Sequence, residues 1–354
     1  MRPSRHLVVA VWVAAALLVG ALALRHAVQP VAPIESFAEA ATSDTAAPST
    51  TTTVAPVVLP PTTTVPPTTT TTTTAPPPPT TVQAAQVRSL LAYEGLGTWI
   101  DVYDWSTTFN RGTEQVGLAD IDRMAASGVQ TLYVQTSKWD APTDVLEPER
   151  LLPMIARAKA RGMHVVAWYL PTFENPQADM GRLMAATRIP GVDALAVDIE
   201  SIKFRDVGER NRRLLEISTN LRKALPDMTL GAIPYPPVVT DVINPDLWPS
   251  FPWAQLAPLY DVWLPMNYQS DRKPESGYRD AYRYTAENID RMRARLGRDV
   301  PVHAIGGIAD RTSPADVGAM LKAAAQRHAI GGSLYDWKTT GDGLWASLQA
   351  FRRR

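Results

Sequence analysis

Between residues 98 and 336 one pattern recurs eight times: a short apolar segment, a polar stretch, then an amphipathic segment closing on Gly or Pro. The short segments read as strands at Thr98–Tyr103, Gln130–Thr136, His164–Leu170, Ala194–Glu200, Thr229–Pro234, Val262–Asn267, Val302–Ile305 and Gly332–Asp336. They recur at roughly the length of a strand-plus-crossover unit. Val165–Leu170 and Ala194–Ile199 are near-continuous apolar runs, which suits strands covered on both faces. Helical spacing lies between them, as in Leu118, Ile121, Met124 and Ala125 before Gly128, and Leu152, Ile155 and Ala158 before Gly162. Leu214, Ile217 and Leu221 before Pro226, and Val317, Met320, Leu321 and Ala324, repeat it. Ser313-Pro314 reads as an N-cap with Pro at the first helical position. Alternating strands and helices predict a parallel sheet, and eight units predict its closure into an α/β (β/α)8 TIM barrel. An open doubly wound sheet would need a Gly-rich phosphate loop after a strand, and Ile305-Gly306-Gly307 lacks the rest of that fingerprint.

Barrel chemistry is carried at the C-terminal ends of the strands. Those ends bring up Asp101, Asp104-Trp105, Gln135, Trp168-Tyr169, Asp198 and Glu200, Tyr235, Asn267-Tyr268, Gly306-Gly307 and Asp336-Trp337. The five His fall at the N-terminus, at strand starts or on a helix, so a multi-His metal site is not expected, and no cofactor is called for. In the fourth strand Asp198 and Glu200 are two residues apart and share one face. Two carboxylates held together cannot ionise independently; one stays protonated beside an ionised neighbour. Glycosidic bond cleavage needs that division, with an acid for the leaving oxygen and an anion for the cationic transition state. One of the two is the expected acid and the other its partner. The competing reading pairs both with Lys203 or Arg205 as ordinary loop salt bridges.

Trp105, Trp139, Trp168, Tyr235, Trp248, Trp253, Tyr268 and Trp337 all fall at predicted strand ends or just after them. Carbohydrate clefts collect aromatic rings and fixed polar groups. The expected substrate contacts are Asp101, Gln135, Trp168, Tyr235, Asn267, Tyr268, Asp336 and Trp337, with Pro234–Pro258 walling one side of a groove.

Strand four ending in Asp-x-Glu and strand six ending in Met266-Asn267-Tyr268 resemble glycoside hydrolase family 18, the chitinase-like barrels. Asp193, Asp198 and Glu200 match that family's strand-four motif, and Met266 and Tyr268 its strand-six motif. The resemblance implies that Glu200 is the general acid and that Asp198 orients the substrate's N-acetyl group, whose oxygen acts as nucleophile with help from Tyr268. Ala194, Ala196 and Gln269 depart from the pattern, and Asp336 stands where the family has a Trp, with Trp337 following. Family 25 lysozymes are a second comparison, with Asp-x-Glu on strand four and an Asp on strand one, here Asp101. The departures motivate an alternative: a barrel that binds carbohydrate without cleaving it.

The segments ahead of the barrel place it. Arg2 and Arg5 precede an apolar run from Leu7 to Leu24, followed by Arg25. At 1.5 Å per residue this run spans about 27 Å, nearly the hydrocarbon thickness, so residues 1–26 are expected to form a membrane anchor. Ala21 and Ala23 leave a cleavable signal, and hence secretion, as the alternative. Residues 27–87 read as a disordered Thr/Pro-rich linker, with the runs Thr68–Thr74 and Pro76–Pro79 favouring extended backbone. Such a stalk carries residues 88–354 outward on the extracytoplasmic side, to a polysaccharide of the envelope. The chain has no Cys, which excludes disulfides, thiol nucleophiles and thiolate metal sites. Lys+Arg and Asp+Glu balance at 35 each, so nothing favours nucleic acid.

Overall fold

The computed structural model describes residues 88–110 and 115–353, which belong to one compact unit, Thr80–Arg354. The expected N-terminal membrane helix and most of the linker lie outside the described residues. Among those described, no helix is long and apolar enough to cross a membrane.

Eight parallel strands form one sheet: β1 Gly95–Ile100, β2 Thr131–Gln135, β3 His164–Tyr169, β4 Ala194–Ile199, β5 Leu230–Pro234, β6 Val262–Trp263, β7 His303–Ile308 and β8 Gly331–Tyr335. Each pairs with its sequence neighbour from β1 to β6, and β8 lies between β7 and β1. The ring closes between β6 and β7 through parallel bridges Trp263–Val302 and Met266–Ile305. The helices are α1 Val102–Trp105, α2 Leu118–Ala126, α3 Pro148–Ala160, α4 Pro176–Thr187, α5 Val207–Ala224, α6 Trp253–Leu256, α7 Ala281–Leu296, α8 Pro314–Gln326 and α9 Asp342–Leu348. This is a (β/α)8 barrel with flanking helices.

Local chemistry explains where the strands depart from the sequence expectation. β1 stops at Ile100 because Asp101 caps α1. Its carboxylate accepts from the Tyr103 N–H (2.8 Å), while Asp104 accepts from the Asp101 N–H (3.0 Å). β6 is cut short at Trp263, two residues before Pro265, which has no N–H to donate; pairing resumes at Met266. β7 instead runs on through Gly306 and Gly307 to Ile308. Ser313 caps α8 as expected, with Pro314 as its first residue. Leu118 and Leu152 face solvent rather than the core. In α3 the covered stripe is Leu151, Met154, Ile155 and Ala158, one position out of phase with Leu152.

Strand alternation sorts the apolar residues into layers. Val197, Ile199 and Leu195 of β4 join an outer cluster with Leu214, Ile217 and Leu221 of α5. Ala194 and Ala196 join the inner plug with Tyr93, Trp99, Tyr133, Val166, Trp168, Ile233, Leu264, Met266 and Ile305. Trp99 stacks on Tyr133, ring centroids 4.1 Å apart. Gly231 makes room for Tyr93: a Cβ there would lie 2.8 Å from the Tyr93 ring. The Tyr93 hydroxyl then donates to the Leu195 carbonyl (2.6 Å).

His303 is fully buried in this plug. Its Nδ1 lies 2.9 Å from the Tyr93 carbonyl and its Nε2 3.0 Å from Ser333 Oγ, which accepts from the Trp99 indole N–H (2.8 Å). These partners suit a neutral ring with its proton on Nδ1. Burial lowers its pKa to about 4, against the hydrogen bond to Tyr93, which raises it. An unfolded chain therefore takes up this proton first as pH falls. The stability His303 contributes is complete above about 6.5 and is lost as pH falls toward 4. Relative to His303→Gln, the wild type should lose on the order of 3 kcal/mol across that window. Urea unfolding of both proteins at several pH values measures it, and parallel stability curves would refute the assignment.

Candidate active site

The same alternation that places Ala194 and Ala196 inside carries Asp198, and beyond it Glu200, to the inner face at the C-terminal rim. Asp198 is 6 % exposed, and its Oδ1 has no hydrogen-bond partner. Glu200 is half-buried and makes no hydrogen bond or ion pair with any described residue. Lys203 lies instead 3.8 Å from Glu174, and Arg205 forms no ion pair with either acid. The salt-bridge reading of Asp198 and Glu200 is thereby excluded. Burial pushes the Glu200 carboxyl up to about 7. Asp198 is raised well above the carboxylate range by burial and then by the Glu200 charge. With no cation among the described residues paired to either, the pair retains a shared proton near neutrality.

Tyr235, just past β5, and Tyr268, just past the Met266 bridge, stand close enough to feel both acids. Burial raises each phenol first, and the Glu200 and Asp198 charges raise it further. Both hydroxyls therefore remain protonated donors. Tyr268 also lies beside Tyr335 at the end of β8, with centroids 6.2 Å apart. Tyr335 donates to Asp101 Oδ2 (2.6 Å). Beneath them Trp168 faces inward at 5 % exposure, its indole N–H without a partner, next to Ala196 in the strand register.

Asp101, Asp104 and Asp336 form a second acid group, with one carboxylate oxygen from each lying within 4.8 Å of the others. Burial raises all three; charges of the other two raise Asp104, and Asp336 reaches about 6 under burial and the Asp101 charge. Hydrogen bonds from Tyr335 and the Tyr103 N–H hold Asp101 down against its burial. The Thr339 N–H (2.9 Å) and hydroxyl (2.8 Å) fix Asp336 Oδ1. Such a spacing suits either a cation or a shared proton, and the raised Asp336 accounts for the close approach by protonation.

Of the remaining expected contacts, Gln135 is buried below the rim, where its Oε1 accepts from the Val102 N–H (3.1 Å). Asn267 is fully buried, with neither side-chain amide atom partnered, and no hydrogen bond joins it to the acids. Trp337 turns to the outer layer: its indole donates to Asp120 (3.1 Å) and packs on Trp345. Trp105, Trp248 and Trp253 are core residues, so the expected Trp wall after β5 does not form. Two Arg-to-carbonyl bonds explain the packing of Trp248: the Arg210 guanidinium lies over its ring while bonding the Phe204 and Leu247 carbonyls. Sequence reasoning placed Asp104 at a strand end without choosing it as a contact, and did not select Tyr335. The two-residue step from Ser333 marks Tyr335 as inward-facing, whereas nothing in the sequence discloses the capping role of Asp104.

No protein-family model matches the chain, and no curated protein matches it in sequence. Solved structures do resemble it in fold. The C-terminal domain of a candidate chitinase from Desulfitobacterium hafniense DCB-2 superposes with a TM-score of 0.54 at 12 % identity, covering 73 % of this chain and 99 % of that one. A class V chitinase from Pseudomonas fluorescens Pf-5 gives 0.53 at 9 % identity, covering 73 % and 99 %. The spore cortex-lytic enzyme SleL of Bacillus megaterium QM B1551 gives 0.53 at 8 % identity, covering 73 % and 74 %. At this identity the likeness establishes the architecture: the described residues have the barrel fold also seen in chitinases and a cortex-lytic enzyme.

Proposed function

We propose that this chain is a membrane-anchored, extracytoplasmic glycoside hydrolase acting on an N-acetylhexosamine-containing polysaccharide of the envelope. One observation carries the reading: Asp198 and Glu200 project from the end of one strand into a desolvated basin with no cation among the described residues paired to them, flanked by the phenols of Tyr235 and Tyr268. Glu200, the more exposed of the two, is the proton donor. Its proton passes to the glycosidic oxygen as the C–O bond breaks and that oxygen leaves with the electron pair. With the pair's shared proton on Glu200, the charge left on Asp198 stabilises the positive charge that grows at the anomeric centre. Oxygen from the substrate's N-acetyl group, or from water, takes the vacated bond. Water completes hydrolysis, and its proton restores Glu200. The fold shared with chitinases and SleL supports the substrate class, and the apolar and Thr/Pro-rich segments ahead of the barrel support its placement.

Ala196, on the inner face directly below Asp198, favours a second reading in which the basin binds sugar without cleaving it. Hydrolysis of N-acetylglucosamine oligomers and of purified peptidoglycan separates the two. Under the hydrolase reading Glu200→Gln lowers turnover by about 10²–10⁴ with little change in affinity. Turnover that survives this substitution removes Glu200 as the acid; binding without turnover by the wild type supports the second reading.

The pH profile gives an independent check. A general acid works only while protonated, so the rate should fall as pH rises through about 7, where Glu200 loses its proton. In Glu200→Gln the residual rate should lack that alkaline limb. A limb that persists unchanged in the variant would assign it to another group.

A further inference from the structure

Three loops at the C-terminal rim meet in a row of alternating rings and ammonium groups. Phe109 comes from the segment after α1, Lys138 and Trp139 from the segment after β2, and Lys203 from the segment after β4. Lys138 Nζ lies 5.0 Å from the Phe109 centroid and 4.6 Å from that of Trp139, and Lys203 Nζ lies 2.9 Å from the same indole centroid. Trp139 is 41 % exposed, the only Trp among the large hydrophobic side chains classed as exposed in the described residues.

Cation–π contact alone explains one ammonium on an indole. Two are unfavourable together: burial and then the Lys138 charge pull the Lys203 pKa down, against Glu174 and Asp140, which raise it. The counterion of Lys203 is weakly held, and that of Lys138 reaches it from an exposed side chain. Asp140 hydrogen-bonds Lys138, and Glu174 lies 3.8 Å from Lys203, but their side chains are 37 % and 51 % exposed. Solvated pairs of this kind contribute about 1 kcal/mol or less, so an incoming anion can displace them. The basin itself is lined by acids and disfavours a negative group. Lys203 is three residues past Glu200, so the Cα atoms of these two residues are no more than about 10 Å apart.

We propose that Lys138, Trp139 and Lys203 form a subsite that selects glycans carrying a carboxylate on, or next to, the sugar held over Asp198 and Glu200. The indole takes the apolar face of the sugar, and the two ammonium groups take its carboxylate. This deepens the hydrolase reading by naming the charge of the substrate, and it rests on that reading for the position of the reacting sugar.

The test measures binding alone, so it can succeed or fail separately from turnover. Full-length protein carrying Glu200→Gln is titrated with peptidoglycan strands before and after chemical reduction of their carboxylates to alcohols, and with N-acetylglucosamine oligomers. The native strands should bind at least about tenfold more tightly than the reduced ones, a difference that shrinks as salt rises. Lys138→Gln with Lys203→Gln should bring the ratio close to one, and Trp139→Ala should weaken both polymers. Strands stripped of peptide distinguish the source: a preserved preference places the carboxylate on the sugar, and a lost one places it on the attached peptide. Equal binding of native and reduced strands, a ratio unchanged in the lysine variants, or no binding to any of these polymers would overturn the proposal. Lys203→Gln alone, at a side chain one-third exposed, serves if the double variant unfolds.

Discussion

Desolvation of carboxylates, offset only in part by the charge of Lys338 near Asp101, Asp104 and Asp336, is the constraint around which this barrel is arranged. Five acids, Asp101, Asp104, Asp198, Glu200 and Asp336, occupy the C-terminal rim, and burial raises every one of them. Ionised together in a low dielectric they would repel one another strongly. Protons shared among them, and phenol and backbone donors such as Tyr335 and the Thr339 N–H, relieve that repulsion. Two carboxylates elsewhere are compensated. Asp261 at the opposite end of the barrel is bridged by Arg88 and Arg222, and Glu147 is held down to about 2 chiefly by hydrogen bonds from Ser106 and two backbone N–H groups, against its burial. The rim acids are thus a local departure, of the kind that acid–base chemistry requires.

The plug beneath the rim maintains that departure. Trp99, Tyr133, Trp168 and Met266 fill the interior and leave the acids facing a closed floor. His303 belongs to the same plug, where its neighbours satisfy a neutral ring. Packing and electrostatics are therefore one problem here, since each aromatic ring that excludes water from the interior also raises the cost of charge above it. The cationic row of Lys138 and Lys203 is built instead on the loops after β2 and β4, around Trp139.

Much of the barrel was legible because strands buried on both faces must be apolar and helices on the outside must be amphipathic, so their periods survive in the sequence. Ser313-Pro314 and the Asp198–Glu200 step were readable for the same reason: each depends on neighbours only a few residues away. Strand ends were less legible. Asp101 was read as the interior of a strand and is a helix cap, because Asp104 three residues later offers a competing hydrogen bond to its N–H. Pro265 shortens β6.

By itself the amino-acid sequence determined the alternation of strands and helices, the shared face of Asp198 and Glu200, and the absence of thiol chemistry. Tertiary structure alone decided which rings reach the basin. Trp105, Trp248, Trp253 and Trp337 leave it for the outer layers, while Tyr335 enters it and joins Asp101 across more than two hundred residues. The reason is that a side chain's face follows from local period, whereas its company follows from barrel closure, which brings the last strand against the first and has no signature in neighbouring residues.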